Sequence, residues 1–410
     1  MVETESVTTI QLDHLDRRIL GLLRGRQVTV AEISSAVNRS IPSVTSTLRK
    51  LIRNGWIQES GEAASTGGRR PKLYNLVPNT KWAVGVDIGR RATRLCIVDL
   101  EGRLLENRLF ESPDLNEKEK ALDTVVEWME EMISDVQMTR SRSLGCAIAL
   151  PGLVDSRSGV TSTYFNFDRP LREILFERMG LPMVVVNDAR AMAYGEYMIH
   201  RGRGVKDLLF VNMGWGGIGM GIIVNGRLHF GSHRHAGEFG HLTVEPHGEL
   251  CACGKRGCLE TVCSGSALVR DLVIKLQSDE KSIIREMVGD DLDRVDTGIV
   301  VQAIRAGDQL SIDTLFEKAA ILGRNLAVLC TLFDPQLIVI GGYISTVGKL
   351  LIDALRAAAR ASVIPKLANE IEIVTSSLGD LAAAQGAARL LLEPLFGDQV
   401  IHQNSQKVAE

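Results

Sequence analysis

The sequence predicts an α/β chain of two related lobes, preceded by a small, basic, mostly helical module. Three observations carry that prediction. Apolar residues in the first eighty positions recur at helical spacing, whereas from Trp82 onward short apolar runs read as strands separated by helical stretches. A strand–turn–strand pattern, "WAVGVDIG" followed by "TRLCIVDL", returns as "KDLLFVNMG" followed by "IGMGIIVNGRLHFG", with Asn225-Gly226 at a turn. Charge divides as well: residues 1–80 hold 11 Lys+Arg against 7 Asp+Glu, a net of +4 in a chain whose total is -3.

Length and composition set the frame. At 410 residues the chain has room for two or three compact units, each with its own core. A 45% hydrophobic and 24% charged composition is that of a soluble globular protein. The N-terminus carries acids where a signal peptide needs a basic flank, and no run approaches the roughly 18 apolar residues of a membrane span. Seven cysteines, an odd count in a long chain without an export signal, fit a reducing compartment better than a disulfide framework. The expectation is a cytoplasmic protein with no membrane partner.

The N-terminal module, residues 1–78, reads as three short helices. Leu15, Ile19, Leu22 and Leu23 mark the first; Val30, Ile33, Ala36 and Val37 mark the second. Asn38 can take the left-handed conformation of a tight turn, and Ser40 can cap a third helix with Ile41, Val44, Leu48, Leu51 and Ile52 as its apolar positions. The opposite face offers Ser43, Thr45, Ser46, Arg49, Lys50 and Arg53, polar and basic groups suited to a major groove. "STGGRRPKLYNL" then places Arg69 and Arg70 on a glycine-rich tip before a strand, where a wing would bring guanidiniums to phosphate or minor groove. The residues predict a winged helix-turn-helix that binds double-stranded DNA. A three-helix protein-interaction module with a solvated basic face is the alternative.

"NRSIPSVTSTLRKLIRNGWIQES" with "GGRRP" resembles the winged helix of the ROK family (repressors, open reading frames, kinases). Asn38 and Ile41 stand where that family usually has Gly and often has Pro. Further along, "VDIG", "PGLVD", "NDARAMAYGE", "HAGEFGH", "CACGKRGCLE" and "IGG" fall in the family's order over residues 80 to 400. The resemblance implies an actin-like (ribonuclease H-like) two-lobe sugar kinase fold. Its expected boundaries are 79–190 for the first lobe, completed by a C-terminal helix at 385–400, and 191–384 for the second. The closing run "DQVIHQNSQKVAE" is polar and expected to fray.

"CACGKRGC" puts Cys251, Cys253 and Cys258 within eight residues, a redox relay, part of a disulfide staple, or most of a metal site. Structural zinc wants four ligands in a tetrahedron. Spacing alone slightly favours His247 as the fourth; the family resemblance picks His241, and the expected set is His241, Cys251, Cys253 and Cys258 holding a structural Zn2+. Cys263 reads as an ordinary buried thiol. The same resemblance implies a sugar pocket from Gly152, Asn187, Asp188, Glu238, His241 and Glu260, with Asn166 as a further candidate. Metal would tie "FGH" to "GCLE" and fix Glu238 and Glu260 beside the ligand.

In the family's kinases the residue matching Asp188 is the general base that deprotonates the sugar hydroxyl. Their first phosphate loop reads Asp-x-Gly-Gly-Thr-Lys. Here "DIGRRA" keeps Asp87 and Gly89 but has Arg90, Arg91 and Ala92, and the second loop has Trp215 and Gly216 in place of Gly and Thr. Bulky side chains obstruct the backbone amides that cradle phosphate, so ATP and Mg2+ are not expected ligands. The reading is a sugar-responsive transcriptional repressor of carbohydrate genes, acting as a homodimer or homotetramer on operator DNA, with a monosaccharide or sugar-phosphate effector. Occupancy would favour one closure state and so change the spacing of paired heads. Two alternatives compete: an ATP-dependent hexose or N-acetylhexosamine kinase that kept a DNA-binding head, and a regulator whose thiols themselves sense metal or oxidant.

Overall fold

The winged module forms where the periodicities place it. In the computed structural model, which describes residues 12–64, 70–136 and 139–397, three helices span His14–Leu23 (α1), Val30–Val37 (α2) and Ile41–Arg53 (α3). Asp13 and Thr29 each close a capping box on the helix that follows, with Asp16 and Glu32 as the returning side chains. Asn38 ends α2 at φ 54° and ψ 53°, the left-handed turn its short side chain permits. Ser40 occupies the N-cap of α3 but makes no side-chain cap bond. Strands Val28–Thr29 (β1), Ile57–Glu62 (β2) and Lys72–Leu76 (β3) pair antiparallel in the order β1-β3-β2, with the wing tip between β2 and β3. Arg69 and the polar run 398–410 lie outside the described residues.

Two compact units make up the chain: Met1–Ala191 with Ala383–Glu410, and Met192–Ala382. In the first, strands Trp82–Ile88 (β4), Ala92–Asp99 (β5), Leu104–Glu111 (β6), Ser143–Leu150 (β7) and Met183–Asn187 (β10) form one sheet ordered β10-β7-β4-β5-β6. The two-stranded ribbon Val154–Asp155 (β8) and Val160–Thr161 (β9) follows β7. β4 runs parallel to β7, and β7 to β10, while β4, β5 and β6 are antiparallel neighbours. Strands β4, β5 and β7 are buried on both faces, with alternate residues going to different cores, whereas edge strand β6 has no buried residue. Trp82, Val84, Val86 and Ile88 pack with Leu122, Val125, Met129 and Leu175. Ala83, Cys96 and Val98 face the other way, into a core shared with the head: Ile19, Leu20 and Leu23 of α1, Val44, Leu48 and Leu51 of α3, and Leu392, Leu395 and Phe396 near the C-terminus.

The C-terminal segment secures that junction. Helix Ala382–Leu392 passes into a tight turn, Glu393–Phe396, that lies against α1. Arg24 Nη1 donates to Glu393 Oε2 at 2.9 Å, with the two side chains 9% and 3% exposed. The same guanidinium sits 4.3 Å from the Phe396 ring centre. The head is therefore packed onto the sheet by a continuous apolar core, not hung from it by a linker.

The second unit repeats the sheet. Strands Leu208–Met213 (β11), Ile218–Val224 (β12), Arg227–Leu228 (β13), Leu337–Gly341 (β14) and Ile373–Thr375 (β15) are ordered β13-β12-β11-β14-β15. The hairpin of β11 and β12 is antiparallel and β14 and β15 add in parallel, the arrangement of β4, β5, β7 and β10 in the first unit. Asn225 and Gly226 both take positive φ at the β12–β13 turn, as the "NG" pair predicts. Helices Gly265–Gln277, Thr297–Arg305, Gln309–Phe333 and Lys349–Arg360 supply the core of this unit. Among the described residues no helix is long and apolar enough to cross a membrane.

Candidate functional site

The cysteine loop is shaped by its own backbone. Cys251 N–H donates to Lys255 O at 2.8 Å, Gly254 N–H to Cys251 O at 2.9 Å, and isolated bridges join Leu250 to Arg256 and Thr243 to Cys258. This brings Cys251, Cys253 and Cys258 together with His241, their ligand atoms all within 4.8 Å of one another. Cys253 Sγ lies 3.6 Å from Cys258 Sγ, and Cys251 Sγ lies 3.6 Å from His241 Nδ1. Those separations are too long for a disulfide and match the edge of a tetrahedron around zinc, about 3.8 Å for sulfur ligands. Exposed His247 is not among the four.

The thiols are unequal. Burial, and then donation to Glu260, push the Cys251 thiol up; burial also raises Cys258. The Lys255 backbone amide holds exposed Cys253 below the usual thiol value. Three soft sulfurs and one imidazole nitrogen, arranged at this size, fit a closed structural zinc site. Cys263, outside the cluster, is buried, its pKa pushed up to about 12 by burial, and its Sγ donates to the Lys318 carbonyl at 3.6 Å.

Glu238 and His241 are set beside this cluster by glycines that press their segment onto β12. A Cβ at Gly237 would lie 2.3 Å from Met220 O, and one at Gly240 2.2 Å from Ile218 O. The short helical turn Phe239–His241 then presents Glu238 Oε2 3.8 Å from His241 Nε2. Glu260 stands in the first turn of helix Leu259–Cys263; its Oε1 is 3.4 Å from His241 Nδ1 and accepts from Cys251 Sγ at 2.9 Å. The second unit thus joins Glu238, His241 and Glu260 to the thiol cluster as one connected group.

In the first unit Asn187 ends β10 and Asp188 opens helix Asp188–His200. Asn187 Oδ1 accepts the Arg190 N–H at 3.1 Å, while its Nδ2 donates to Gly152 O at 3.1 Å and to Asp188 Oδ1 at 3.0 Å. Gly152 has φ 86°, and a Cβ there would lie 2.3 Å from Thr163 Oγ1, which is reason enough for glycine. Asn166 is exposed, and its carbonyl accepts from Lys118 Nζ at 2.7 Å.

On the head, α3 buries Val44, Leu48 and Leu51, whereas Ile41 is 54% exposed and Ile52 36% exposed. Those two positions, counted with the apolar stripe from sequence, belong to the outer face. Ser46 and Arg49 are exposed; Ser43 and Thr45 are half-buried, with Thr45 Oγ1 donating to Ile41 O at 2.8 Å. Lys50, its side chain 43% exposed, donates from Nζ to Asp13 Oδ2 at 3.2 Å and to Asp16 Oδ2 at 2.5 Å. Its ammonium holds α1 to α3, a role periodicity cannot show because the pairing partner is over thirty residues away. Arg39, exposed in the turn before α3, and Arg70, exposed beside the wing, extend the basic face.

A small basic head packed on the first of two sheet-repeating α/β units defines a nucleic-acid-binding regulator class built on a kinase-like scaffold. The chain belongs to the ROK family, whose profile matches residues 83–393, and a winged helix-turn-helix DNA-binding profile matches residues 12–58. It is 30% identical over 372 residues to the DNA-binding transcriptional dual regulator NagC of Escherichia coli strain K12, covering 89% of this chain and 88% of that protein. A putative xylose repressor of Caldicellulosiruptor sp. strain Rt8B.4 is 29% identical over 380 residues, covering 92% and 94%. Among solved structures, a ROK family transcriptional regulator, homolog of the E. coli MLC protein, superposes with a TM-score of 0.79 at 26% identity, covering 94% of this chain and 98% of that one. A ROK family glucokinase from Streptomyces griseus, in complex with glucose and AMPPNP, matches 75% of this chain and 98% of its own with a TM-score of 0.66 and 32% identity.

Proposed function

We propose that this protein is a sugar-responsive transcriptional repressor that binds double-stranded operator DNA through its winged head. The observation that carries the reading is the shared core of the head and the β4–β5 face, to which the C-terminal segment adds the Arg24–Glu393 pair. A head packed in this way moves with the sheet, so any rearrangement of the first unit reaches the DNA-reading helix. Ser43, Thr45, Ser46 and Arg49 of α3 would face bases and phosphates, with Arg69 and Arg70 at the wing. Lys50 contributes indirectly, by holding α1 to α3.

The residues assigned to carbohydrate in this reading are Gly152, Asn187, Asp188, Glu238, His241 and Glu260. Carboxylates and amides with adjacent acceptors and donors are what vicinal hydroxyls require. A structural Zn2+ on His241, Cys251, Cys253 and Cys258, when bound, fixes the orientation of Glu238 and Glu260 through His241. The protein acts as a cytoplasmic homodimer or homotetramer, since one head is small and an operator half-site repeats with protein symmetry. Relatives named as xylose repressor and as NagC support the assignment to carbohydrate genes.

The test is DNA binding by the purified full chain to its own promoter region across a salt series, with and without sugars. Salt-sensitive binding that changes with one sugar supports the reading; no salt-sensitive binding under any condition rejects it. Asp188 keeps the position of a general base, so the kinase alternative is tested on the same sample by ADP release with hexoses and N-acetylhexosamines. Turnover abolished by Asp188→Asn would establish that alternative.

A further inference from the structure

Several polar side chains on and around α3 are already committed inside the head. Thr45 Oγ1 donates to Ile41 O at 2.8 Å and Thr47 Oγ1 to Ser43 O at 3.2 Å, each turned back onto its own helix. Ser34 Oγ, on α2, donates to Arg39 O at 2.5 Å, and Lys50 is bound to Asp13 and Asp16. What the first turn of α3 presents outward is largely hydrocarbon. Ile41 and Pro42, its first two residues, are both exposed, Ile41 at 54%. Proline has no backbone N–H to offer a partner.

A single exposed isoleucine is ordinary on a protein surface. This one lies among cations. Pro42, Ser46, Arg49 and Arg53 recur at spacings of four, three and four, one face of a helix, and all four are exposed. Ile41 borders that row through Thr45, one turn along. Arg39, Arg49 and Arg53 are exposed and form no ion pair among the described residues. The winged helix-turn-helix match over residues 12–58 includes the whole of α3, and a recognition helix sets its N-terminal residues against base edges. Ile52, the other exposed apolar residue of α3, is about 16 Å further along the axis and meets different base pairs.

We propose that Ile41 reads the C5-methyl group of a thymine in the major groove and so sets one base of the operator. The proposal rests on the DNA-binding reading and deepens it from a contact surface to a base preference. Every base pair offers donors or acceptors to the groove, but the thymine methyl is the one hydrocarbon group there. A polar base edge held against Ile41 loses water without gaining a hydrogen bond, whereas a methyl group gains from the same burial. Isoleucine suits the contact because its branched side chain is stiff at χ1. Thr45 cannot substitute for it: with its hydroxyl proton committed to Ile41 O, it has no donor left for thymine O4. The arginines attract phosphate whatever the sequence, and the methyl contact adds the discrimination they lack.

The test selects duplexes from a random pool with the sugar-free full chain, then replaces each thymine of the selected sequence singly by deoxyuridine, which deletes only the methyl. Fluorescence anisotropy compares the duplexes. At one thymine or more, the replacement is expected to weaken binding about threefold to tenfold, the contribution of burying a methyl group. Ile41→Ala should bind the thymine and uracil duplexes alike, with the affinity that native protein has for the uracil duplex. The site is exposed and alanine favours helices, so folding is not at stake. Ile41→Val, which keeps the branch, should retain part of the preference. Binding indifferent to every thymine methyl overturns the inference alone. So does methyl sensitivity that persists in Ile41→Ala, or an Ile41→Ala loss shared equally by thymine and uracil duplexes, the mark of a structural role. Failure to select any duplex, with no salt-sensitive binding, removes the DNA-binding reading itself and this inference with it.

Discussion

The two units carry the same five-stranded plan and use it differently. In the first, one face of the sheet is given to the head: Ala83, Cys96 and Val98 join α1, α3 and the C-terminal turn in one core. In the second, the hairpin of β11 and β12 is a platform for Glu238, His241, Glu260 and the cysteine loop. A shared scaffold therefore does not fix a shared role; what is packed on the hairpin does. The turn residues repeat the lesson, since Arg90 and Arg91 are exposed on one unit while half-buried Trp215 packs against the core of the other.

This division of labour can be broken from either side. Cys258→Ser carries the largest expected effect. Cys258 is fully buried at the centre of the cluster, and metal binding is coupled to folding, so the variant should lose bound zinc and at least ~3 kcal/mol of stability. Metal analysis and chemical unfolding check this. Sugar affinity should fall with it while operator affinity of the folded fraction persists; unchanged sugar affinity would disconnect the cluster from the pocket.

Arg24→Ala strikes the other unit. It takes the Arg24 guanidinium away from a buried Glu393 carboxylate, a loss of up to roughly 3 kcal/mol by the behaviour of buried pairs. Near neutral pH, thermal unfolding should show the head loosened from the first unit, and zinc content should not change. Arg49→Ala is milder: Arg49 is exposed on α3, so stability should hold while operator affinity drops about tenfold and the salt slope falls by about 0.9 if it meets one phosphate. Fluorescence anisotropy over a salt series reads both quantities.

The smallest effect is acid sensitivity confined to the second unit. Burial alone would raise the Asp308 carboxyl, but hydrogen bonds from Ser311, the Ile283 amide and Ser282 outweigh it and hold the pKa below the usual 3.8. A depressed folded-state value gives stability that is fully present above the unfolded pKa and lost as pH falls through the folded one. Asp308→Asn should therefore flatten the pH dependence of unfolding below about pH 4 and leave the neutral-pH operator affinity unaltered.

Much of this organisation is legible in the sequence where a pattern repeats within a few residues. The three head helices, the two hairpins and the Asn38 turn all follow from spacing and from what asparagine tolerates. β15 is three residues long and β8 and β9 two each, too short for alternation to register. Lys50 and Ile41 show the other limit. Both sit on α3 where a helical wheel gives an outer or inner face, yet Lys50 is drawn to Asp13 and Asp16 and Ile41 is left exposed, because tertiary neighbours decide. The packing of Phe396 and Glu393 onto α1 joins residues over 350 positions apart and has no local signature. At the candidate site, residue types and order point to His241 and the three cysteines only with the family resemblance, since spacing alone leaned to His247.

Operator affinity measured on the zinc-loaded full chain, with and without a bound sugar, tests most directly whether ligand state reaches the head. The account predicts a sugar-dependent change of at least about tenfold in the native protein, a coupling of ordinary allosteric size, and none in Glu238→Ala, which should still bind DNA. Native protein whose operator affinity is the same with its sugar sites filled and empty would contradict it.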